Sequence, residues 1–66
     1  MRISYDKEVN AAYISLTERI GVGGVKKTVP VDNDINLDFD SEDRLVGIEV
    51  LAASDRLPAE VLSEAE

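Results

Sequence analysis

Ile35-Asn36-Leu37-Asp38-Phe39-Asp40, then Ser41-Glu42-Asp43, then Arg44-Leu45-Val46-Gly47-Ile48-Glu49-Val50-Leu51, is the stretch that decides the fold. Its first part alternates apolar and polar residues without a fault. Its middle is a short polar turn, and its last part is a β-branched run holding one glycine. That pattern reads as a β-hairpin.

Working towards the N-terminus, Val25-Lys26-Lys27-Thr28-Val29-Pro30-Val31 reads as a weaker strand, followed by the turn Asp32-Asn33-Asp34. Pro30 has no N–H to give a ladder, so this strand belongs at an edge, where Lys26 and Lys27 also discourage unwanted pairing. Thr17 to Gly24 is a loop, with Gly21, Gly23 and Gly24 close together. Ala11-Ala12-Tyr13-Ile14-Ser15-Leu16 has apolar residues on both faces and reads as a central strand. Arg2-Ile3-Ser4-Tyr5 alternates, and Asp6 to Asn10 is polar turn material.

Towards the C-terminus, Ala52 to Arg56 leaves the sheet, and Leu57 to Glu64 reads as a short helix with Pro58 at its first position. Leu57, Val61 and Leu62 share a face that can lie on the sheet. About two turns do not hold alone in water, so this helix exists only by docking. Gly47 leaves a gap in its strand, which a neighbouring ring such as Tyr13 can cover. The expected architecture is α+β and mainly β: an antiparallel meander of four to five strands and one short C-terminal helix, in a single small domain over residues 1–66.

Size limits how such a domain is held together. Below roughly 70–80 residues a single core rarely supplies more than 3–5 kcal/mol, and small domains add disulfides, metals or partner chains. This chain has no Cys and no His, which removes disulfides, thiolates and the commonest transition-metal ligand. Self-association remains, and one helix cannot cover a five-stranded sheet, so an apolar patch is left for an interface. A homodimer is therefore expected. The missing Cys suits a reducing cytoplasm. No signal peptide or membrane-spanning run is expected. A net charge of -7 repels nucleic acid and anionic membranes and favours a basic protein partner.

Tyr5-Asp6, then Ala12-Tyr13-Ile14-Ser15-Leu16, then Gly47-Ile48-Glu49-Val50-Leu51-Ala52-Ala53-Ser54 resemble the short bacterial and archaeal proteins of the domain of unknown function 2283 family. The resemblance spans nearly the whole chain and is strongest at Val46-Gly47-Ile48-Glu49 with Ala53-Ser54 behind it. Ser41-Glu42-Asp43 departs from it, standing where members often carry an Asp-Gly type turn. The resemblance implies a small β-rich fold, a prokaryotic setting and no catalytic residues to transfer. The resemblance also implies an association that some small proteins of this kind have, with toxin-like partners beside them.

The densest oxygen-donor run is Asp32-Asn33-Asp34-Ile35-Asn36-Leu37-Asp38-Phe39-Asp40. A calcium loop would need Gly at its sixth position and Glu at its twelfth, where this chain has Leu37 and Asp43. Same-face side chains of a strand stand roughly 7 Å apart and cannot wrap one ion. The run reads as the solvated face of an amphipathic strand, with Asp32 and Asp34 the weak candidates for a surface cation. Glu49, flanked by Ile48 and Val50, reads as an outward-facing carboxylate, or as a general acid–base group if burial raises its pKa. Ser54 lacks a His to activate it and reads as a capping residue for the turn or helix start. Tyr5 and Tyr13 read as core aromatics with satisfied hydroxyls. Arg19, Lys26 and Lys27 make too small a basic cluster for nucleic acid.

No catalytic or cofactor-binding residue emerges. The leading expectation is a non-catalytic interaction module, homodimeric and able to bind a basic, toxin-like protein. The alternative is divalent-cation or acid–base chemistry through Asp32, Asp34, Asp38 and Glu49.

Overall fold

The computed structural model describes residues 1–18 and 24–66. The loop glycines Gly21 and Gly23, and Arg19 of the basic cluster, lie outside the described residues. Five strands form one sheet: β1 (Arg2–Asp6), β2 (Ala11–Ser15), β3 (Lys27–Pro30), β4 (Ile35–Phe39) and β5 (Leu45–Leu51). Two short helices follow, α1 (Ala53–Arg56) and α2 (Ala59–Ser63). Every strand pairing is antiparallel. Among the described residues no helix is long and apolar enough to cross a membrane.

The spatial order is β1-β2-β5-β4-β3, so the chain departs from the simple meander of the sequence reading. After β2 it passes to the far edge and returns through β3 and β4 to place β5 in the centre. β2 is flanked on both sides, as its two apolar faces require, and β3, with Pro30, is an edge strand.

Register sorts the side chains into two faces. One register line runs Tyr5, Ala12, Val50, Ile35 across β1, β2, β5 and β4. The next runs Ile3, Ile14, Ile48, Leu37, Val29 across the whole sheet. Ala53, Leu57 and Leu62 of the helical segment pack against Ala12 and Val50, with Tyr5, Ile35 and Ile48 around them. The helices thus lie over the first line. Along the second line no residue is fully buried.

The expected single helix is two. Pro58 disfavours helical backbone at the residue before it, and Leu57 is extended at φ -117, ψ 144. That break ends α1 and starts α2 one residue later than expected, with Pro58 flanking the helix rather than opening it. α1 begins at a left-handed Ala52 (φ 51), a conformation that nothing in an alanine signals. Ser54 does not cap it: the residue at the cap position is Ala52, which has no polar side chain to make a capping bond.

Asn10 takes that place. It sits at φ 53 in the β1–β2 turn, a region Asn tolerates better than most residues. Its carbonyl accepts the Ala53 N–H at 2.9 Å. Its Oδ1 accepts the Tyr5 hydroxyl at 2.8 Å and the Ser54 N–H at 3.0 Å. Its Nδ2 donates to Ser54 Oγ at 3.0 Å. One turn residue therefore ties β1 to the chain leaving β5, and Tyr5 has the satisfied hydroxyl expected of it.

The β4–β5 turn is a three-residue loop. The Asp43 N–H bonds the Asp40 carbonyl at 3.1 Å, and the Asp40 N–H bonds the Arg44 carbonyl at 2.9 Å. Asp43 stands at φ 60, where this loop type prefers Gly. Asp40 Oδ1 accepts the N–H groups of Glu42 (2.8 Å) and Arg44 (3.0 Å), and Oδ2 accepts Arg44 Nε (3.0 Å). The Arg44 N–H leads the causes that hold the Asp40 carboxyl below its ordinary range. Further along, Asp38 pairs with Gly47 and Phe39 with Leu45, so Val46 is an extra residue on β5, a β-bulge that adds twist.

Two substitutions test these turns by urea unfolding. Asn10→Ala is expected to destabilise by about 2 kcal/mol, from lost hydrogen bonds and left-handed strain. Asn10→Gly should recover about half of that, because only the strain is relieved. Asp43→Gly is expected to stabilise by about 0.5 kcal/mol. It also gives up the exposed Lys27–Asp43 ion pair (2.9 Å), so Lys27→Ala is the control for that loss.

Candidate functional site

The sheet face turned away from the helices carries the second set of register lines. One runs Ser4, Tyr13, Glu49, Asn36, Pro30, and its neighbour runs Arg2, Ser15, Gly47, Asp38, Thr28. Alternation places these polar residues together, since each is one step from an apolar residue on the helix side.

Tyr13 and Gly47 organise the centre of this face. The hydroxyl end of the Tyr13 ring lies over Gly47: a Cβ there would overlap the hydroxyl and Cζ and come within 2.9 Å of Cε2. Gly47 is thus the glycine whose missing side chain makes room for the ring, as the sequence suggested. Lying across β5, Tyr13 donates its hydroxyl proton to Asp38 Oδ2 on β4 at 2.8 Å. Thr28 on β3 donates to Asp38 Oδ1 at 2.6 Å. Directly opposite on the strands, Asn36 Nδ2 donates to Glu49 Oε1 at 2.9 Å. Asp38 and Glu49 are half-buried. Among the described residues, no ion pair reaches either of them.

Burial first, then the Asp38 carboxylate and the more distant Glu49 charge, push the Tyr13 phenol up to about 12. At neutral pH it is therefore a fixed hydrogen-bond donor and is not poised to exchange a proton. Beside this centre a shallow cleft of ≈ 250 Å³ runs between β1 and β2, with Ser4, Asp6, Tyr13, Glu49 and Glu66 on its walls.

Asp32 and Asp34, the two candidates for a cation, lie elsewhere, in the β3–β4 turn. Asp32 Oδ1 accepts the N–H groups of Asp34 (2.8 Å) and Ile35 (3.0 Å) and so shapes the turn. Arg56 of α1 reaches both carboxylates, with Nη2 to Asp32 Oδ2 at 2.6 Å and Nη1 to Asp34 Oδ2 at 3.0 Å. This guanidinium, helped by the Asp34 N–H, holds the Asp32 carboxyl down to about 2, and the Asp32 and Asp34 carboxylates in turn raise the Arg56 pKa. A metal ion bound there would have to displace Arg56. Among the described residues no group of three or more His, Cys, Asp or Glu side chains is arranged to hold a metal. The structure thus brings Asp38 and Glu49 onto one face with Tyr13, and ties Asp32 and Asp34 to a helix.

Asn10 and Asp38 are the residues whose roles sequence reasoning missed. The register that sets Tyr13 over Gly47 also brings Asp38 opposite Gly47, so Asp38 was within reach of that argument. Asn10 carried no signal beyond being a turn residue able to adopt positive φ.

Tyr13 gives a pH test of this geometry. Its phenol is raised in the folded state, so the stability it contributes is complete below the unfolded value near 10 and is lost as pH rises towards 12. Ultraviolet titration should show the Tyr13 phenol ionising well above the ordinary value near 10. In Asp38→Asn that late titration should move down, because the carboxylate that disfavours the phenolate is gone.

No curated protein and no solved structure matches the chain. Residues 2–54 match the family described as "Protein of unknown function (DUF2283)", a span that takes in all five strands and the Asn10–Ser54 tie and stops before α2. The sheet that carries Tyr13, Gly47, Asp38 and Glu49 is thus the part matched, and the chain belongs to the DUF2283 family of proteins of unknown function.

Proposed function

We propose that this protein is a non-catalytic interaction module that works as a homodimer. The observation that carries this reading is the register line Ile3, Ile14, Ile48, Leu37, Val29: five aliphatic side chains abreast, none fully buried. Leu16, Val29 and Leu45 are 38 %, 39 % and 36 % exposed near the same end of the sheet. Apolar surface gathered in this way on a small domain marks an interface.

Charge supports the same choice of face. Lys27 is the one charged residue among the strand positions on the helix side, and it lies over the Phe39 ring at 5.2 Å to the centroid. Two copies meeting there bring no carboxylates of the strands together. Meeting through the opposite face would set Asp38 and Glu49 against their own copies, which like-charge repulsion disfavours. The -7 charge then lies largely outside the dimer interface and favours a basic protein partner, a toxin-like protein of a prokaryotic cytoplasm being the reading the family setting suggests.

Light scattering over a dilution series tests the dimer. The expected result is twice the chain mass at micromolar concentration. Val29→Glu, on an edge strand and already part-exposed, should weaken the dissociation constant at least about tenfold, a loss of about 1.4 kcal/mol. A monomer at every concentration would overturn the proposal.

A further inference from the structure

The open face of the sheet has its own partner chemistry. Among strand positions it carries the charges of Arg2, Asp6, Asp38 and Glu49, and Arg2 is already engaged with Glu66 at 3.3 Å. Asp38 and Glu49 have no cationic partner among the described residues, and both are close enough to Tyr13 to act on its ionisation. The Tyr13 ring is held down on Gly47 by its bond to Asp38 and is half-exposed. A ring fixed beside two unneutralised carboxylates favours one kind of visitor, a cationic side chain that gains both cation–π and charge-assisted contacts. Phosphate backbones, anionic lipid and a second copy are repelled by the same charges.

We infer that this face docks a Lys- or Arg-bearing segment of a basic protein, with a cationic side chain seated on Tyr13 between Asp38 and Glu49. The preparation for it is already present. Thr28 and Asn36 fix the two carboxylates from the neighbouring strand and from across the ladder, so little side-chain freedom is lost on binding. The inference builds on the interaction-module reading but uses the opposite face from self-association, so either can fail while the other stands.

The test is a titration of the isotopically labelled full chain with a Lys-Val-Lys-Val-Lys peptide at low salt, followed by NMR. Saturable shifts centred on Tyr13, Asp38 and Glu49 are expected. Glu49→Gln keeps an acceptor for Asn36 and removes one charge, and should weaken binding at least about fivefold. Glu60→Gln on α2 removes the same charge elsewhere and should change it less than about twofold. Equal losses in the two variants would mean general charge attraction and overturn the inference. So would an absence of saturable shifts, or spermidine matching the peptide at the same concentration.

Discussion

The ladder between β2 and β5 is the constraint on which the rest of this molecule depends. It pairs residues 11–15 with 47–51 and joins the β1–β2 hairpin to the β3–β4–β5 unit. An isolated hairpin is marginal in water at best. Closing so long a connection carries an entropic cost before any contact across it forms. The contacts that follow are placed to offset it. On one face Ala12 meets Val50 in the buried core. On the other, Tyr13 crosses Gly47 to reach Asp38 and so ties β2 to β4 over the top of β5. The Asn10–Ser54 bonds fasten the same junction from beyond the end of the ladder.

This arrangement gives the sheet two faces of different chemistry. The helix-side face is aliphatic, and the helices sit over the line Tyr5, Ala12, Val50, Ile35, with Ile48 at the margin of the same cluster. The opposite face is polar, and its hydrogen bonds are made between strands, from Thr28 to Asp38 and from Asn36 to Glu49. Such pairs specify register, since a slip of one residue would put these polar groups on the apolar face. The acceptors that set the register are also the charges left facing solvent. The proposed recognition therefore rests on residues that also hold the sheet in register, and removing the charge of Asp38 tests both.

Most of the sheet was legible in the sequence. The alternation from Ile35 to Asp40 and the β-branched run to Leu51 gave β4 and β5; Pro30 marked the edge, and Gly47 called for a ring. What was not legible depends on single backbone conformations or on order in space. Asn10, Asp43 and Ala52 all have positive φ, and no side-chain pattern announces that in an alanine. The split of the C-terminal segment follows from Pro58 acting backwards on Leu57, which a reading of Pro58 as a helix opener overlooked. Strand order could not come from periodicity, because β2 and β5 meet only through a connection that passes the whole sheet. Arg56 was likewise out of reach: its link to Asp32 and Asp34 spans sequence separations of 24 and 22.

The composition of the core is what makes the proposed self-association physically reasonable. Among the described residues its buried apolar side chains are Ala12, Val46, Val50 and Ala53, all small. Alanines at the contact of α1 with the sheet let the backbones approach closely, but they take little area out of water. The larger side chains that could do more, Ile3, Ile14, Ile48, Leu37 and Val29, are not fully buried. At about 25 cal/mol for each Å² of apolar area removed from water, covering that line would add to the stability of the fold. A second copy gains as much as the first from the same surface. On that reading the missing disulfide, the thin core and the aliphatic line are one fact, and folding strengthens with protein concentration by mass action.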